Sequence, residues 1–254
     1  MTNIFTIKEV VNYSWEKVKK HLGFFILMFF IVFLISYTPE FINEFVIKED
    51  ELSVVGFLFY LVFWFLQILV SIGIVRVCLD IVYEKTEKPK IKNLFLNSNL
   101  FIKYLLTSIL YSVFIFLFPG TILAFFILTF ALKVNTIVYI IRIILCILGV
   151  AFLIFMIIYS VRLSFYPYFI VEGFGIVESL KNSYKITKKL VWSLVVLGFV
   201  LGLINLLGLL CLGVGLLVTV PISYIAMTYV YKKIKEANFN NSATPEIKSE
   251  NSQA

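Results

Sequence analysis

SVVGFLFYLVFWFLQILVSIGIV, residues 53–75, runs for 23 residues without a charge. Wound as an α-helix at about 1.5 Å per residue, it reaches further than the ~30 Å hydrocarbon core of a bilayer. No water is present at that depth, so a spanning segment must satisfy its own N–H and C=O groups. An apolar run free of proline does so as a helix. LGFFILMFFIVFLISYT (22–38) has the same character. The whole chain agrees, with 61 % of its 254 residues apolar and 15 % charged. Soluble domains run at about 45–50 % and about 25 %. A soluble core of this length has no room for so much apolar surface, so lipid is the expected solvent.

Outward from these runs, six spans are expected, roughly 22–38, 54–83, 101–132, 137–168, 190–208 and 212–233. The first run is not expected to be a cleaved signal peptide, because its leader carries Glu9 and Glu16 and no small-residue cleavage site follows. Lys and Arg collect on the cytoplasmic side of short loops. Seventeen lysines fall before span one, after spans two and four, and after span six, while the intervening loops hold only Lys48 and Lys133. Both termini are therefore expected in the cytoplasm. This placement also accounts for the net charge of +7 without a nucleic-acid partner, which requires a basic face on a folded domain.

Three polar segments separate the greasy ones: IKEVVNYSWEKVKK (7–20), IKNLFLNSNLFIKY (91–104) and IVESLKNSYKITKK (176–189). They start 84 and 85 residues apart and share Ile7/Ile91/Ile176, Ser14/Ser98/Ser183 and Lys19/Lys103/Lys188. Each precedes two spans. The pattern reads as a threefold internal repeat, with units over approximately 5–84, 89–170 and 175–236. The competing reading is that Lys-rich amphipathic helices resemble one another. In the third segment Ile176, Val177, Leu180, Tyr184 and Thr187 share one face, and Lys181, Lys185, Lys188 and Lys189 lie away from it. A helix so divided rests in the headgroup plane with its lysines available to anionic lipid. Thr6 with Glu9, and Gly175 with Glu178, have capping-box spacing.

Ionisable residues inside spans are functional candidates. Arg76 and Asp80, four apart on span two, share a helix face and are placed to pair, and Arg162 ends span four. All three lie near an interface, so anchoring competes with a transport pathway. Pro119 interrupts span three and reads as a kink, a midplane binding site being the rival reading. It also leaves open whether 121–132 completes that span or is re-entrant. Gly198, Gly202 and Asn205 fall on one face of span five, which is expected to turn away from lipid and pack closely.

Catalytic patterns are missing. His21 has no second ligand nearby, and no Gly-rich phosphate loop, GxSxG or buried carboxylate pair appears. No enzyme activity, cofactor or metal is expected. Cys78, Cys146 and Cys211 sit in apolar runs and read as small hydrophobes. Residues 1–237 form one transmembrane domain, and the polar stretch 238–254 is expected to be a disordered cytoplasmic tail.

PYFIVEGFGIVESLKNSYKITKKLVWSL (167–194) followed by NLLGLLCLGVGLLVTVPISYIAMTYVYKK (205–233) resembles the membrane region of glycerophosphoryl diester phosphodiesterases and related multi-span bacterial membrane proteins. In those enzymes chemistry belongs to a separate soluble domain, and no counterpart of it occurs here. The resemblance implies a stand-alone membrane module in a bacterial cell membrane and implies no hydrolase. The fold expected is an all-α integral membrane protein of six transmembrane helices with three cytoplasmic interfacial helices. Its expected role is to organise or assist membrane lipids or partner proteins. The alternative is a small transporter whose polar path passes Arg76, Asp80 and the Pro119 break. The oligomeric state stays open.

Overall fold

A computed structural model describes residues 4–42, 44, 54–85, 89, 100–113, 127, 129, 136–211 and 213–250, and its regular structure is helical throughout them. The helices are α1 (Ile7–Lys20), α2 (Leu22–Ile42), α3 (Val54–Val82), α4 (Leu100–Val113), α5 (Thr136–Leu163), α6 (Tyr166–Val171), α7 (Ile176–Thr187), α8 (Val191–Leu210) and α9 (Leu216–Glu250). Among the described residues, four stretches are long and apolar enough to cross a membrane: Leu22–Ile42, Gly56–Val82, Tyr139–Val171 and Val191–Leu210. They correspond to spans one, two, four and five, and give the chain the character of a membrane protein. Span six falls within α9, where Thr219, Ser223, Thr228 and the lysines from Lys232 onward dilute the apolar run. Span three is represented by the shorter α4; Pro119 and most of 121–132 lie outside the described residues.

α5 stops because Pro167 cannot donate to the carbonyl four residues back and its ring would collide there. The chain bends at Ser164 and Phe165, then resumes as α6 with the proline in its first turn. This bend interrupts the span read as continuous over 137–168. It also strands polar backbone groups, which α7 satisfies. The Ser183 and Thr187 hydroxyls donate to the Arg162 carbonyl at 2.9 and 3.0 Å, and the Phe165 N–H donates to Ser183 Oγ at 3.1 Å.

That duty explains which face of α7 is buried. Ser179, Ser183 and Thr187, at i, i+4 and i+8, are fully enclosed, while Val177 and Tyr184 are exposed. The apolar face expected to lie down is therefore split: a hydroxyl stripe faces protein, and the rest faces outward beside the lysines. Ser14 of α1, matched to Ser183 in the repeat alignment, is likewise fully enclosed. α1 and α7 each lead directly into a long apolar helix. The second aligned segment, 91–104, lies mostly outside the described residues.

Packing is concentrated at the end of the bundle where α3 finishes. There α3, α6 and α9 meet around Tyr231, which stacks on Tyr168 with ring centroids 4.9 Å apart and meets Phe169 edge-on at 5.2 Å. A second cluster joins Val18 of α1 and Phe25 and Met28 of α2 to α3 and α9. By contrast, none of the apolar window of α5 is buried. Its Ile, Leu and Phe side chains point outward, as expected when lipid is the solvent.

One expectation is corrected. Gly198 and Gly202 do not make a close-packed face, for a Cβ added at either meets nothing within 4 Å. The face of α8 that packs is Val191, Leu194, Leu197, Leu201 and Gly208. Close approach happens at the α8–α9 hairpin instead, where a Cβ on Gly208 would lie 2.5 Å from Thr219 Oγ1 and one on Gly215 would lie 2.6 Å from Gly208 Cα. α9 extends to Glu250.

The glycine contrast is testable. Gly208→Ala is expected to destabilise the folded protein by about 1–3 kcal/mol through overpacking. Gly202→Ala should be neutral or stabilise by up to about 1 kcal/mol, since the helix loses a flexible residue. Thermal unfolding of the two variants in detergent checks the order, and equal effects would contradict the packing described.

Candidate functional site

α3 presents Arg76, Leu79, Asp80 and Tyr83 at i, i+3, i+4 and i+7, one face of its final two turns. It ends in a left-handed turn. Glu84 takes φ 55°, its N–H donates to the Ile81 carbonyl, and the Lys85 N–H donates to the Asp80 carbonyl at 3.0 Å. A non-glycine residue there costs about 1–2 kcal/mol. The turn aims Glu84 at Lys17 of α1, 2.7 Å away, and carries Lys85 to the opposite side. α6 closes with the same hydrogen-bond pattern around Gly173, φ 101°, where the Phe174 N–H reaches the Phe169 carbonyl at 3.1 Å. Glu172 and Phe174 are thereby turned towards α3.

These elements enclose a cavity of about 500 Å³, with Arg76, Asp80, Lys85, Glu172 and Lys235 among its walls. Glu172 is held by the Tyr231 hydroxyl at 2.8 Å and by Lys235 at 2.6 Å. Arg76 and Asp80 do come together in one cavity, but among the described residues they form no ion pair with each other, contrary to the pairing expected from their spacing. Both contribute to the cavity wall rather than closing on one another.

A second cavity of about 470 Å³ follows along the same helices, lined by Ser71 of α3, Tyr168 of α6, Asn205 of α8 and Ser223 and Tyr224 of α9. The Asn205 amide donates to Ser223 Oγ at 3.0 Å, and its Oδ1 is buried without a partner among the described residues. Arg162 belongs to neither cavity. Its guanidinium lies over the Tyr184 ring at 4.5 Å, which links the end of α5 to α7.

Three lysines are taken up by ion pairs between helices, while Lys8, Lys19 and Lys20 of α1 are exposed without one among the described residues. Lys17, Lys233 and Lys235 pair with Glu84, Glu9 and Glu172, so α1 and α9 are tied to one another and to the ends of α3 and α6. Tyr13 stacks on Tyr229 at 3.9 Å beside the Glu9 pair, and Lys232 donates to the Val82 carbonyl. Lys181, Lys185, Lys188 and Lys189 are exposed and make no ion pair with a described residue. Sequence reasoning missed the ion-pair ring and the tyrosine cluster. Its signals were the run Glu172-Gly173, a helix stop, and the stretch YVYKKIK of residues 229–235, two tyrosines followed by three lysines.

The ion pairs set a pH dependence. The Lys233 ammonium, then the Tyr229 hydroxyl, hold the Glu9 carboxyl below its ordinary value of 4.5. Lys17 does the same for Glu84. A carboxyl lowered by folding contributes stability above its unfolded value, and that contribution disappears as pH falls through the folded value. Hydrogen-exchange protection factors of α1 should therefore drop when the pH is taken from neutral to below 4.5. The double variant Glu9→Gln, Glu84→Gln should show reduced protection at neutral pH and a flatter profile. Unchanged protection of α1 in the native protein across that range would remove the role given to these pairs.

Neither a curated protein nor a solved structure matches the chain. A family match does exist, and it spans residues 5–238, from the turn before α1 into α9. Helices α1 to α8, most of α9, both cavities and the three ion pairs lie inside that range, so the chain belongs to the family described as "Protein of unknown function (DUF975)".

Proposed function

We propose that this is a non-enzymatic, six-span module of a bacterial cell membrane with both termini in the cytoplasm. It is built from three units of one surface helix and a transmembrane hairpin, and it engages anionic lipid or a partner protein through α7. The likeness of 167–194 and 205–233 to the membrane region of glycerophosphoryl diester phosphodiesterases fits such a module. One observation carries the reading: all four lysines of the α7 stretch remain exposed and unpaired among the described residues, as do Lys8, Lys19 and Lys20 of α1, whereas Lys17, Lys233 and Lys235 are taken up by ion pairs between helices. Lysines held at an anionic surface contribute about 1 kcal/mol each, so the set is strong enough to act together. Replacing Lys181, Lys185, Lys188 and Lys189 with glutamine is expected to lower retention of phosphatidylglycerol at least about tenfold. Native mass spectrometry measures the retention, and insertion should be unaffected. Equal retention by variant and native protein would refute the role of α7.

The succession of two cavities carrying polar side chains along α3, α6 and α9 favours a second reading, a polar path for export or transport. On that reading Asp80→Asn abolishes translocation of a fluorescent phospholipid in reconstituted vesicles. Undiminished translocation would take Asp80 out of the path.

A further inference from the structure

The charges around the first cavity have two different fates. Glu172 is committed, since Tyr231 and Lys235 both bind it. Arg76 and Asp80 stand four residues apart on α3 without an ion pair to each other or to another described residue. Lys85 meets only the Tyr83 ring, at 5.6 Å, and makes no ion pair with a described residue. Two cations and one carboxylate therefore line a space of about 500 Å³ that no described side chain neutralises. Arg76 and Asp80 are half-buried, and charges drawn partly out of water are costly unless a partner compensates them, while Lys85 at the rim is exposed. The remaining walls include Leu79, Leu100, Val171 and Phe174, an apolar surface continuous with the charged one.

We propose that this cavity binds a phosphoethanolamine headgroup. The phosphate is held by Arg76 and Lys85, the primary ammonium by Asp80, and the glycerol and acyl portion lies along the apolar wall. Arginine's planar fork matches two phosphate oxygens at once, and lysine adds a point charge. The charge pattern gives the selectivity. A phosphodiester lacking the amine leaves Asp80 uncompensated, and an amine lacking phosphate leaves Arg76 and Lys85 uncompensated. The site is the cavity of the transport reading, but the proposal needs binding and no movement. Lost translocation with headgroup preference intact leaves it standing, and lost preference with translocation intact removes it alone.

The test uses the full chain in mild detergent, titrated with short-chain phosphatidylethanolamine, short-chain phosphatidylglycerol and free phosphoethanolamine. The native protein should bind the ethanolamine lipid about tenfold tighter than the glycerol lipid, the difference of one charge-assisted contact. Asp80→Asn should erase that preference by weakening only the ethanolamine lipid, and Asp80→Glu should restore it. Arg76→Gln should weaken both lipids. Free phosphoethanolamine binding as tightly as the lipid would place the source of the headgroup in solution, and much weaker binding would place it in the membrane; both uphold the headgroup chemistry. Equal affinity of the native protein for the two lipids, or a preference that survives Asp80→Asn, overturns the proposal. Should Asp80→Asn fail to fold, Arg76→Gln decides, and no loss of affinity in that variant is fatal.

Discussion

A buried carbonyl abandoned by its own helix needs a donor from elsewhere in the protein. The Arg162 carbonyl is such a group. Pro167 ends the regular ladder of α5, and the two donors that reach Arg162 come from Ser183 and Thr187, twenty-one and twenty-five residues later. This need fixes α7 against the bend, chooses hydroxyl side chains for its buried stripe, and decides which of its residues remain outside. The four lysines are exposed because the opposite side of the helix is occupied with backbone duty.

Lipid as solvent shapes the rest of the packing. Hydrocarbon tails solvate leucine as well as a neighbouring helix does, so apolar area alone does not draw spans together. α5 shows this, with its apolar window left entirely to the surroundings. Cohesion gathers where other terms operate. Near the ends of α3, α6 and α9 there are stacked tyrosines, hydroxyls bonded to carbonyls, and ion pairs that cross from one helix to another. Each exposed ion pair contributes little. Together with the stacking of Tyr13 on Tyr229 they hold α1 in one orientation against α9.

The same geometry leaves a cavity. Two left-handed helix stops, at Glu84 and Gly173, turn the chain away after α3 and α6 and leave a gap between them. The charges that line it are only partly matched among the described residues. A cavity bounded by helix ends and a long helix is a natural ligand site, since the walls are held by packing that the ligand does not need to create.

Much of this was legible residue by residue. That lipid surrounds the chain, that helices fill the long apolar runs, and that α1 and α7 are amphipathic all follow from hydropathy and its period. Those are properties of a residue relative to its medium, and they need no knowledge of neighbours. The Thr6 cap and the amphipathic lysine face of α7 were readable for the same reason. Partnership was not. Gly202 and Gly208 look alike in a string, yet only Gly208 meets another backbone, because the crossing point of α8 and α9 depends on where the hairpin turns at Gly213. Arg76 and Asp80 have pairing distance on a helix but leave each other for the cavity, and Lys17 finds Glu84 sixty-seven residues away. Such choices depend on how each helix is rotated about its axis. That rotation is the outcome of many small contacts summed over the whole bundle, and it is written in no single segment.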